Sequence, residues 1–185
     1  MIFNNDTKLI VMLCNLEEDI RKNCDKYWPD ENAVYDDIEV SLEKQQIILD
    51  DALIRREFRI HYNGEVKTVT HIQVVDWPDH SIPDNMDSIE TVIAYINNYR
   101  DNYSSPIAVH CSAGVGRTGT LIAIYNLCKC IDLQIRYKHM HGMELFFSVF
   151  NIVRKLREQR MGMVSSFSQY RYIYNYVVEY LGSFN

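Results

Sequence analysis

The sequence lacks the features that would place it in a specialised class of protein. Its 185 residues contain no internal repeat, no low-complexity tract and only four prolines and seven glycines, which argues against repeat architectures, collagen-like chains and disorder. No apolar run approaches the ~20 residues that a membrane-spanning helix requires, so no membrane segment is predicted. Hydrophobic residues make up 47% of the chain. That is enough for a folded core, and the length favours a single domain over residues 1–185.

The chain also has fewer basic than acidic residues. The 19 Lys and Arg residues face 25 Asp and Glu residues, and the resulting net charge of −6 does not favour nucleic acid as a partner. The number of cysteines is odd, and no pair of them shows zinc-type spacing with histidines, so neither a metal site nor a cofactor is predicted. Free thiols are typical of a reducing compartment, and we expect a cytoplasmic protein. The cysteines are Cys14, Cys24, Cys111, Cys128 and Cys130.

The pattern of apolar residues changes from strand-like to helix-like along the chain. Alternating β-branched runs between Val34 and Val75 predict strands, and Asn63-Gly64 between two of these runs predicts a hairpin with a type I′ turn. This order predicts an α/β (α+β) fold, a twisted mixed β-sheet flanked by helices. Further strands are predicted at 8–13 and 106–109, a loop or partly helical stretch at 17–27, a loop at 136–142, and helices at about 87–102, 117–132, 143–160 and 166–181.

A glycine-rich loop connects the strand predicted at 106–109 to the next helix. Such a loop directs several backbone N–H groups towards one point, and the N-terminus of the helix adds partial positive charge. The point where these groups converge is suited to an anion of the size of phosphate. The loop consists of Cys111, Ser112, Ala113, Gly114, Val115 and Gly116, and Arg117 follows it.

The first and last positions of this loop carry the chemistry. Cys111 and Arg117 stand in Cys-x5-Arg spacing, so a guanidinium fork can clamp two phosphate oxygens above the sulfur. The same positive surroundings stabilise a thiolate, which is the nucleophilic form of cysteine. The hydroxyl of Thr118 could further stabilise the thiolate and later the leaving sulfur. We therefore predict Cys111 as the nucleophile of a phosphoryl transfer.

The loop also matches a second pattern. Residues 114–119 fit G-x-G-x-x-G, the dinucleotide-binding fingerprint, after a strand and before a helix. That fingerprint requires a following parallel strand that ends in an acidic residue. Asp132 lies near the required distance, but the segment before it is predicted to be helical. A dinucleotide oxidoreductase therefore remains as an alternative. In such an enzyme Cys111 and Arg117 would have no function.

Cleavage of a phosphate ester requires a proton for the leaving oxygen. Asp79 in the segment Trp77-Pro78-Asp79 is the candidate general acid. A loop that contains Pro78 and Pro83 can move as a stiff unit, with the large apolar Trp77 as its anchor.

These motifs occur together with two further segments. HCSAGVGRTG at 110–119 and WPDHSIP at 77–83 are accompanied by KLIVMLCNLEED…CDKYWP at 8–29 and LREQRMGMV…QYRYIY at 156–174. Along nearly its whole length the chain resembles the catalytic domains of receptor and non-receptor protein tyrosine phosphatases. The resemblance implies the cysteine phosphatase fold, with the phosphate-binding loop between a central strand and a helix. It also implies hydrolysis of phosphotyrosine monoesters through a cysteinyl-phosphate intermediate, with phosphotyrosine-containing proteins as partners.

The resemblance supports the nucleophile, clamp and acid named above and implies further roles. Glu18 would hold the guanidinium of Arg117, and Trp77 would be the hinge of a mobile acid loop. Gln169 would be one of two glutamines near the hydrolytic water. His110, immediately before the nucleophile, is expected to orient the loop by hydrogen bonding.

The chain also departs from the family pattern. Family catalytic domains extend further at the N-terminus, where one loop recognises the phosphotyrosine ring, so an N-terminally truncated domain is expected. Ser165 stands where the family has the first of its two glutamines, and Asn23 stands where it usually has lysine. These departures leave room for an alternative function, a catalytically impaired pseudophosphatase that binds phosphotyrosine without turnover.

Overall fold

The structure, a computed structural model, describes residues 1–18, 21–79, 81–83, 86–141 and 145–184, with the backbone alone at residues 21, 22 and 138–141. The chain divides into two compact units. The first comprises residues 1–79 and 83–112, and the second comprises residues 80–82 and 113–185. The single domain expected from chain length stays a prediction.

The first unit contains the strands of the described chain. They are β1 (Leu9–Met12), β2 (Glu17–Glu18), β3 (Arg21–Lys22), β4 (Asn32–Tyr35), β5 (Ile38–Ile48), β6 (Leu53–Tyr62), β7 (Glu65–Val74) and β8 (Ala108–His110). Six of them form one sheet in the order β4-β5-β6-β7-β1-β8. The pairs from β4 to β7 are antiparallel, whereas β1 pairs in parallel with both β7 and β8. The predicted mixed sheet is therefore confirmed.

Two features of the sheet correct the sequence-based prediction. Strand β8 stands at one end of the strand order among the described residues, not in the centre of the sheet. Residues 17–18 and 21–22 form the antiparallel pair β2–β3 where a loop or partial helix was predicted. Strands of two residues are too short to show an alternating pattern, so the sequence gives no signal for them. By contrast, Asn63 (φ 50°) and Gly64 (φ 79°) have the positive φ angles that the predicted type I′ hairpin requires.

The core of the first unit lies on strand β1 and on helix α1 (Met86–Asn102). All four residues of β1 are buried, as expected for a strand with neighbours on both sides. Helix α1 buries the side predicted from 3.6-residue periodicity, because apolar residues at such spacing fall on one face. The buried residues of that face are Ile89, Val92, Ile93, Ile96 and Tyr99.

The second unit contains three helices among its described residues, α2 (Gly116–His141), α3 (Val149–Gln159) and α4 (Phe167–Gly182). Helix α2 continues past residue 132, where the prediction ended it, because the next glycine in the sequence is Gly142 and no proline intervenes. Helix α3 begins later than predicted. Its N-cap is Ser148, whose hydroxyl accepts a hydrogen bond from the backbone N–H of Asn151 at 3.2 Å. The predicted start at 143 lies outside the described residues.

None of the helices in the described part of the chain is long and apolar enough to cross a membrane.

Candidate functional site

Three of the predicted site residues follow parallel strands of the first unit. Because β7, β1 and β8 run in the same direction, their carboxyl ends lie at one edge of the sheet. Glu18 follows β1, Asp79 follows β7 and Cys111 follows β8. The carboxyl ends of parallel strands are where α/β folds place their ligands. The topology thus brings three residues that lie far apart in the sequence to one sheet edge.

The segment after β7 combines a fixed residue with an exposed one. The indole of Trp77 is fully buried, whereas Asp79, two residues later, is exposed to solvent. This arrangement matches an anchored segment that presents a carboxylate. Glu18, in the segment after β1, accepts a hydrogen bond through Oε1 from the backbone N–H of Asn15 at 3.1 Å. The pairing of Glu18 with Arg117 stays a prediction.

Cys111 is buried, with 6% of its surface exposed, at the point where the sheet ends. The residue before it, His110, is held from two sides. The backbone N–H of Leu13 donates to the carbonyl of His110 at 2.8 Å, which extends the β1–β8 pairing by one residue. The His110 ring contacts the loop itself, because its Nδ1 lies 3.1 Å from the carbonyl oxygen of Cys111.

The other nitrogen of His110 leads into a hydrogen-bond chain. Its Nε2 lies 2.7 Å from the hydroxyl of Tyr27, and that hydroxyl lies 2.9 Å from Nε2 of His71. Nδ1 of His71 in turn lies 3.4 Å from Nη1 of Arg56. These four side chains come from the segment before β4, from β6, from β7 and from β8. They connect the middle of the sheet to the backbone of Cys111.

The two ends of this chain fix the position of every proton in it. A guanidinium only donates, so Nδ1 of His71 accepts and its Nε2–H donates to Tyr27. At the other end a carbonyl only accepts, so Nδ1–H of His110 donates to Cys111. Nε2 of His110 is therefore free to accept the proton of the Tyr27 hydroxyl. Both imidazoles are neutral in this arrangement.

Burial accounts for the electrostatics of the chain. Desolvation, followed by the charge of Arg56 and the proximity of His110, lowers the pKa of His71 to about 3. Burial likewise lowers the pKa of His110, opposed by its hydrogen bond to Cys111. The hydroxyl end of Tyr27 points inward although the residue is 42% exposed, and burial raises its pKa. His71, His110 and Tyr27 are thus kept in their uncharged forms near neutral pH.

Tyr27 and Arg56 were missed by the sequence-based search for site residues. Tyr27 lies within the CDKYWP motif, which was a signal for the family but not for a contact with His110. Arg56 is buried and also donates to Gln45 through Nε at 2.8 Å and to Gln73 through Nη1 at 2.9 Å. In the sequence it is the middle one of three consecutive charged residues of β6, so nothing distinguished it.

Close packing explains the glycines of the loop and the following helix in the second unit. Gly114 has a φ of 68°, a left-handed conformation that favours glycine. A Cβ atom on Gly116 would lie 2.6 Å from Oγ of Ser165, and one on Gly119 would lie 2.5 Å from the backbone nitrogen of Val164. The first turn of α2 therefore touches the segment before α4 with no room for a side chain.

Arginines of α3 hold this packed segment. Arg157 donates to the carbonyls of Met163 and Val164 at 2.9 Å each, and the backbone N–H of Val164 donates to the carbonyl of Val115 at 3.0 Å. Val164 has a φ of 60°, a costly conformation for a β-branched residue that persists only where its surroundings fix it. Arg160, at the end of α3, donates to the carbonyl of Ala113 at 3.2 Å. Arg157 thus holds the segment before α4, and Arg160 holds the glycine-rich loop.

The remaining predicted site residues lie in the second unit. Arg117 (1% exposed) and Thr118 (5% exposed) occupy the first turn of α2 and are buried. Gln169, in the first turn of α4, is also buried, and its Oε1 accepts from the hydroxyl of Ser165 at 3.3 Å. Gln169 would also lie within 3.2 Å of a Cβ atom on Gly116. The structure thus brings Gln169 and Ser165 to the end of the glycine-rich loop.

Comparison with known proteins agrees with this arrangement. The sequence model described as "Protein-tyrosine phosphatase" matches residues 1–179. The chain belongs to the protein-tyrosine phosphatase family. Consistent with this membership, the described residues after α2 contain helices and no strand, whereas a dinucleotide-binding unit would continue with a parallel strand.

Individual relatives share most of this chain but are longer. "Tyrosine-protein phosphatase 2" of Dictyostelium discoideum is 34% identical over 94% of this chain and 45% of its own length. "Phosphatidylinositol phosphatase PTPRQ" of Rattus norvegicus is 30% identical over 99% of this chain and 8% of its own length. The structure of PTPN18 in complex with HER2 phosphopeptides superposes with a TM-score of 0.87 and 27% identity, over 98% of this chain and 61% of that one. This chain therefore spans less than two thirds of each of these proteins.

Proposed function

We propose that this protein hydrolyses phosphotyrosine monoesters through a cysteinyl-phosphate intermediate. The observation that carries the proposal is the Cys-x5-Arg loop, which joins the carboxyl end of β8 to the N-terminus of α2 in a member of the phosphatase family. The loop starts at the buried Cys111 and ends at the buried Arg117. A helix N-terminus and successive backbone N–H groups are suited to a bound phosphate.

In the first chemical step the Cys111 thiolate attacks phosphorus. A sulfur–phosphorus bond forms, and the bond from phosphorus to the ester oxygen breaks. Arg117 and the backbone N–H groups of residues 112–117 hold the equatorial oxygens, and Asp79 donates its proton to the leaving phenolic oxygen. The tyrosine leaves as the free phenol, and Asp79 remains as a carboxylate.

The second step returns the enzyme to its starting state. A water molecule attacks phosphorus from the side opposite to sulfur, and Asp79 accepts its proton. The sulfur–phosphorus bond breaks, inorganic phosphate is released, and Cys111 is again a thiolate, stabilised by the hydroxyl of Thr118. Gln169 positions the attacking water. Its place beside the end of the loop supports this role.

Phosphotyrosine-containing proteins are the proposed substrates. The PTPN18 structure holds phosphotyrosine peptides of HER2, which supports the same ligand class here. The name of the rat relative indicates that phosphoinositides are the second class to test. A cytoplasmic location and a role in signalling complete the proposal. None of the five cysteines, all of which lie in the described part of the chain, forms a disulfide bond, in keeping with a reducing compartment.

The decisive experiment is phosphate release by the 185-residue chain from an aryl phosphate and from a phosphotyrosine peptide. A phosphoserine peptide and vesicles that carry phosphatidylinositol phosphate serve as competing substrates. We expect turnover of the aryl phosphate and the phosphotyrosine peptide, inhibition by vanadate, and loss of turnover in Cys111→Ser. The Cys111→Ser protein should still bind the phosphotyrosine peptide, since the phosphate-binding donors remain.

Cys130→Ser is the matched control, because it removes a thiol from the middle of α2 and leaves the loop intact. A folded parent protein that binds the phosphotyrosine peptide without releasing phosphate would establish the pseudophosphatase instead. Faster hydrolysis of the lipid than of the peptide would reassign the substrate class. Activity in Cys111→Ser equal to that in Cys130→Ser would exclude the cysteinyl mechanism.

A further inference from the structure

We infer that Cys14, Cys24 and His110 form a zinc-binding site next to the nucleophile loop. Their ligand atoms, the two Sγ atoms and one ring nitrogen, all lie within 4.8 Å of one another. Spacing in the sequence does not indicate such a site, because the two cysteines are ten residues apart and the histidine follows 86 residues later. All three residues belong to the first unit.

Backbone hydrogen bonds hold each of the three residues in place. Cys14 follows β1 by two residues, and its carbonyl accepts from Nε2 of Gln73 at 3.1 Å. His110 is the last residue of β8, the parallel neighbour of β1. The backbone N–H of Cys24 donates to the carbonyl of Leu16 at 3.2 Å, which folds the segment after β3 back towards β1. Two ligands therefore stand on paired strands and the third on a tethered loop.

The distances are compatible with zinc after a small closure. Zinc–sulfur bonds of about 2.3 Å and zinc–nitrogen bonds of about 2.0 Å place tetrahedral ligand atoms about 3.5–3.8 Å apart. The three ligand atoms must therefore approach one another by at most about 1.3 Å from 4.8 Å. Cys14 is fully buried, whereas Cys24 is partly exposed. Cys24 can supply this movement, and its side of the cluster is open to an entering ion.

Nε2 is the ring nitrogen that can bind the ion. Nδ1 of His110 donates its proton to the carbonyl of Cys111, and a backbone carbonyl bound to the other nitrogen is the usual support of a metal-ligating histidine. Nε2 faces the hydroxyl of Tyr27, and both thiols act electrostatically on that same hydroxyl. The lone pair of Nε2 and the two sulfur atoms therefore surround one point, where the Tyr27 hydroxyl is the competing donor.

The donor set selects the metal. Two thiolates and one imidazole are soft to borderline ligands, which favour Zn²⁺ over Mg²⁺ or Ca²⁺. Binding requires that both thiols lose their protons, so the hydrogen bond from Sγ of Cys24 to the carbonyl of Asp25 breaks. The cluster contains three ligands among the described residues, and water would occupy the fourth position. Zinc on Nε2 of His110, the residue before Cys111, would displace the Tyr27 hydroxyl. Zinc binding is therefore expected to lower the proposed phosphatase activity.

The site is tested by metal binding, which does not depend on the proposed phosphatase activity. The full chain carrying Cys111→Ser, which removes the nucleophilic thiolate as a competing ligand, is titrated anaerobically with Co²⁺. We expect thiolate-to-cobalt charge-transfer absorption that Zn²⁺ abolishes, and the displacement gives the zinc affinity. Adding Cys24→Ser should weaken zinc binding by more than the ~10–100-fold that loss of an outer-shell partner costs. Adding Cys130→Ser, the matched control, should change nothing.

Tyr27→Phe provides a test in the opposite direction. The variant removes the hydroxyl that competes for Nε2 of His110, so zinc should bind roughly 2- to 10-fold more tightly, the factor that one net hydrogen bond represents. Circular dichroism establishes that each variant is folded, and the partly exposed Cys24 is chosen because a change at the buried Cys14 endangers folding. The inference is overturned if charge-transfer absorption is missing, if Cys24→Ser and Cys130→Ser bind zinc equally well, or if Tyr27→Phe does not bind more tightly than its parent.

Discussion

The hydroxyl of Tyr27 lies 2.7 Å from Nε2 of His110, across a separation of 83 residues in the sequence. This contact closes a chain of hydrogen bonds that runs from Arg56 through His71 to the carbonyl of Cys111. Through these bonds the orientation of the peptide after His110 is coupled to a buried arginine in the sheet.

The first prediction concerns the tautomers of the two histidines. We expect ¹⁵N NMR to show the proton on Nε2 of His71 and on Nδ1 of His110. In Tyr27→Phe the pKa of His110 should rise, because the hydroxyl that donates to Nε2 stabilises only the neutral ring. The change is measured from the titration of the His110 ring signals. The opposite tautomer at either histidine, or an unchanged pKa of His110 in Tyr27→Phe, would contradict the proposed direction of the chain.

The second prediction concerns stability against acid. The pKa of His71 falls from 6.5 to about 3 on folding, so between these values the unfolded state binds the proton and the folded state does not. Stability is therefore lost as pH falls below 6.5. This one group should account for about 2 kcal/mol between pH 7.5 and pH 5. The unfolding free energy is measured with urea at the two pH values. Its decrease from pH 7.5 to pH 5 should be smaller by about 2 kcal/mol in His71→Gln than in the parent. His61→Gln, on the exposed part of β6, should show the same decrease as the parent.

The third prediction compares glycines of α2. Gly119→Ala places its Cβ against backbone atoms of Val164 and Met163, which cannot move aside, so we expect a loss of about 1–3 kcal/mol in unfolding free energy. Gly116→Ala meets the side chains of Ser165 and Gln169 and should cost less. Adding Ser165→Ala should restore part of that loss. Gly182→Ala is the control, because nothing lies within 4 Å of its added carbon. Equal losses at the three glycines would contradict the packing argument.

The fourth prediction concerns the general acid. Asp79→Ala should slow hydrolysis of aryl phosphates with poor leaving groups by roughly 10²–10⁴, the usual contribution of general acid catalysis. The effect should shrink for esters whose leaving oxygen needs no proton. Steady-state rates over a series of phenols test this dependence. Asp37→Ala, which removes another exposed carboxylate of the first unit, is the control. A loss of the same size for every leaving group would rule out Asp79 as the acid.

The fifth prediction concerns the second chemical step. Misplacing the attacking water by about 1 Å can cost on the order of 10²-fold, and Ser165 is too short to fill the place of the first glutamine. We expect phosphocysteine to accumulate, so rapid mixing should show a burst near one equivalent per site, followed by a slow steady rate. Ser165→Gln should raise the steady rate and shrink the burst. Ser168→Gln, on an exposed position of α4, should leave both unchanged.

The absence of both a burst and a phosphoenzyme on acid quench of an active preparation would show that Ser165 does not limit the second step. The structure adds a constraint to this experiment, because the hydroxyl of Ser165 donates to Oε1 of Gln169. Ser165→Ala separates the two effects of the position. It removes that hydrogen bond without supplying a longer side chain, so the steady rate should not rise.

Features that depend on neighbours in the chain could be predicted from the sequence alone. The turn at Asn63-Gly64 follows from the freedom of these residues at positive φ. The buried face of α1 follows from the 3.6-residue period. The glycine-rich loop between β8 and α2 could be predicted because strand, loop and helix are consecutive in the chain. Two local features were predicted wrongly. Helix α2 was ended too early, although no glycine or proline follows residue 132 before Gly142. The β2–β3 pair was missed because strands of two residues are too short to show an alternating pattern.

Contacts between residues that are distant in the sequence could not be predicted and became visible in the fold. Cys14 and His110 are close because β1 and β8 pair in parallel, and a pairing partner is not encoded in the periodicity of either strand. The chain from Arg56 to Cys111 joins four segments, and each of its side chains alone is an ordinary polar residue of a strand or loop. Sequence patterns report the local preferences of the backbone. The meeting of these side chains is instead a consequence of burial, because polar groups enclosed in the same interior must find partners in one another.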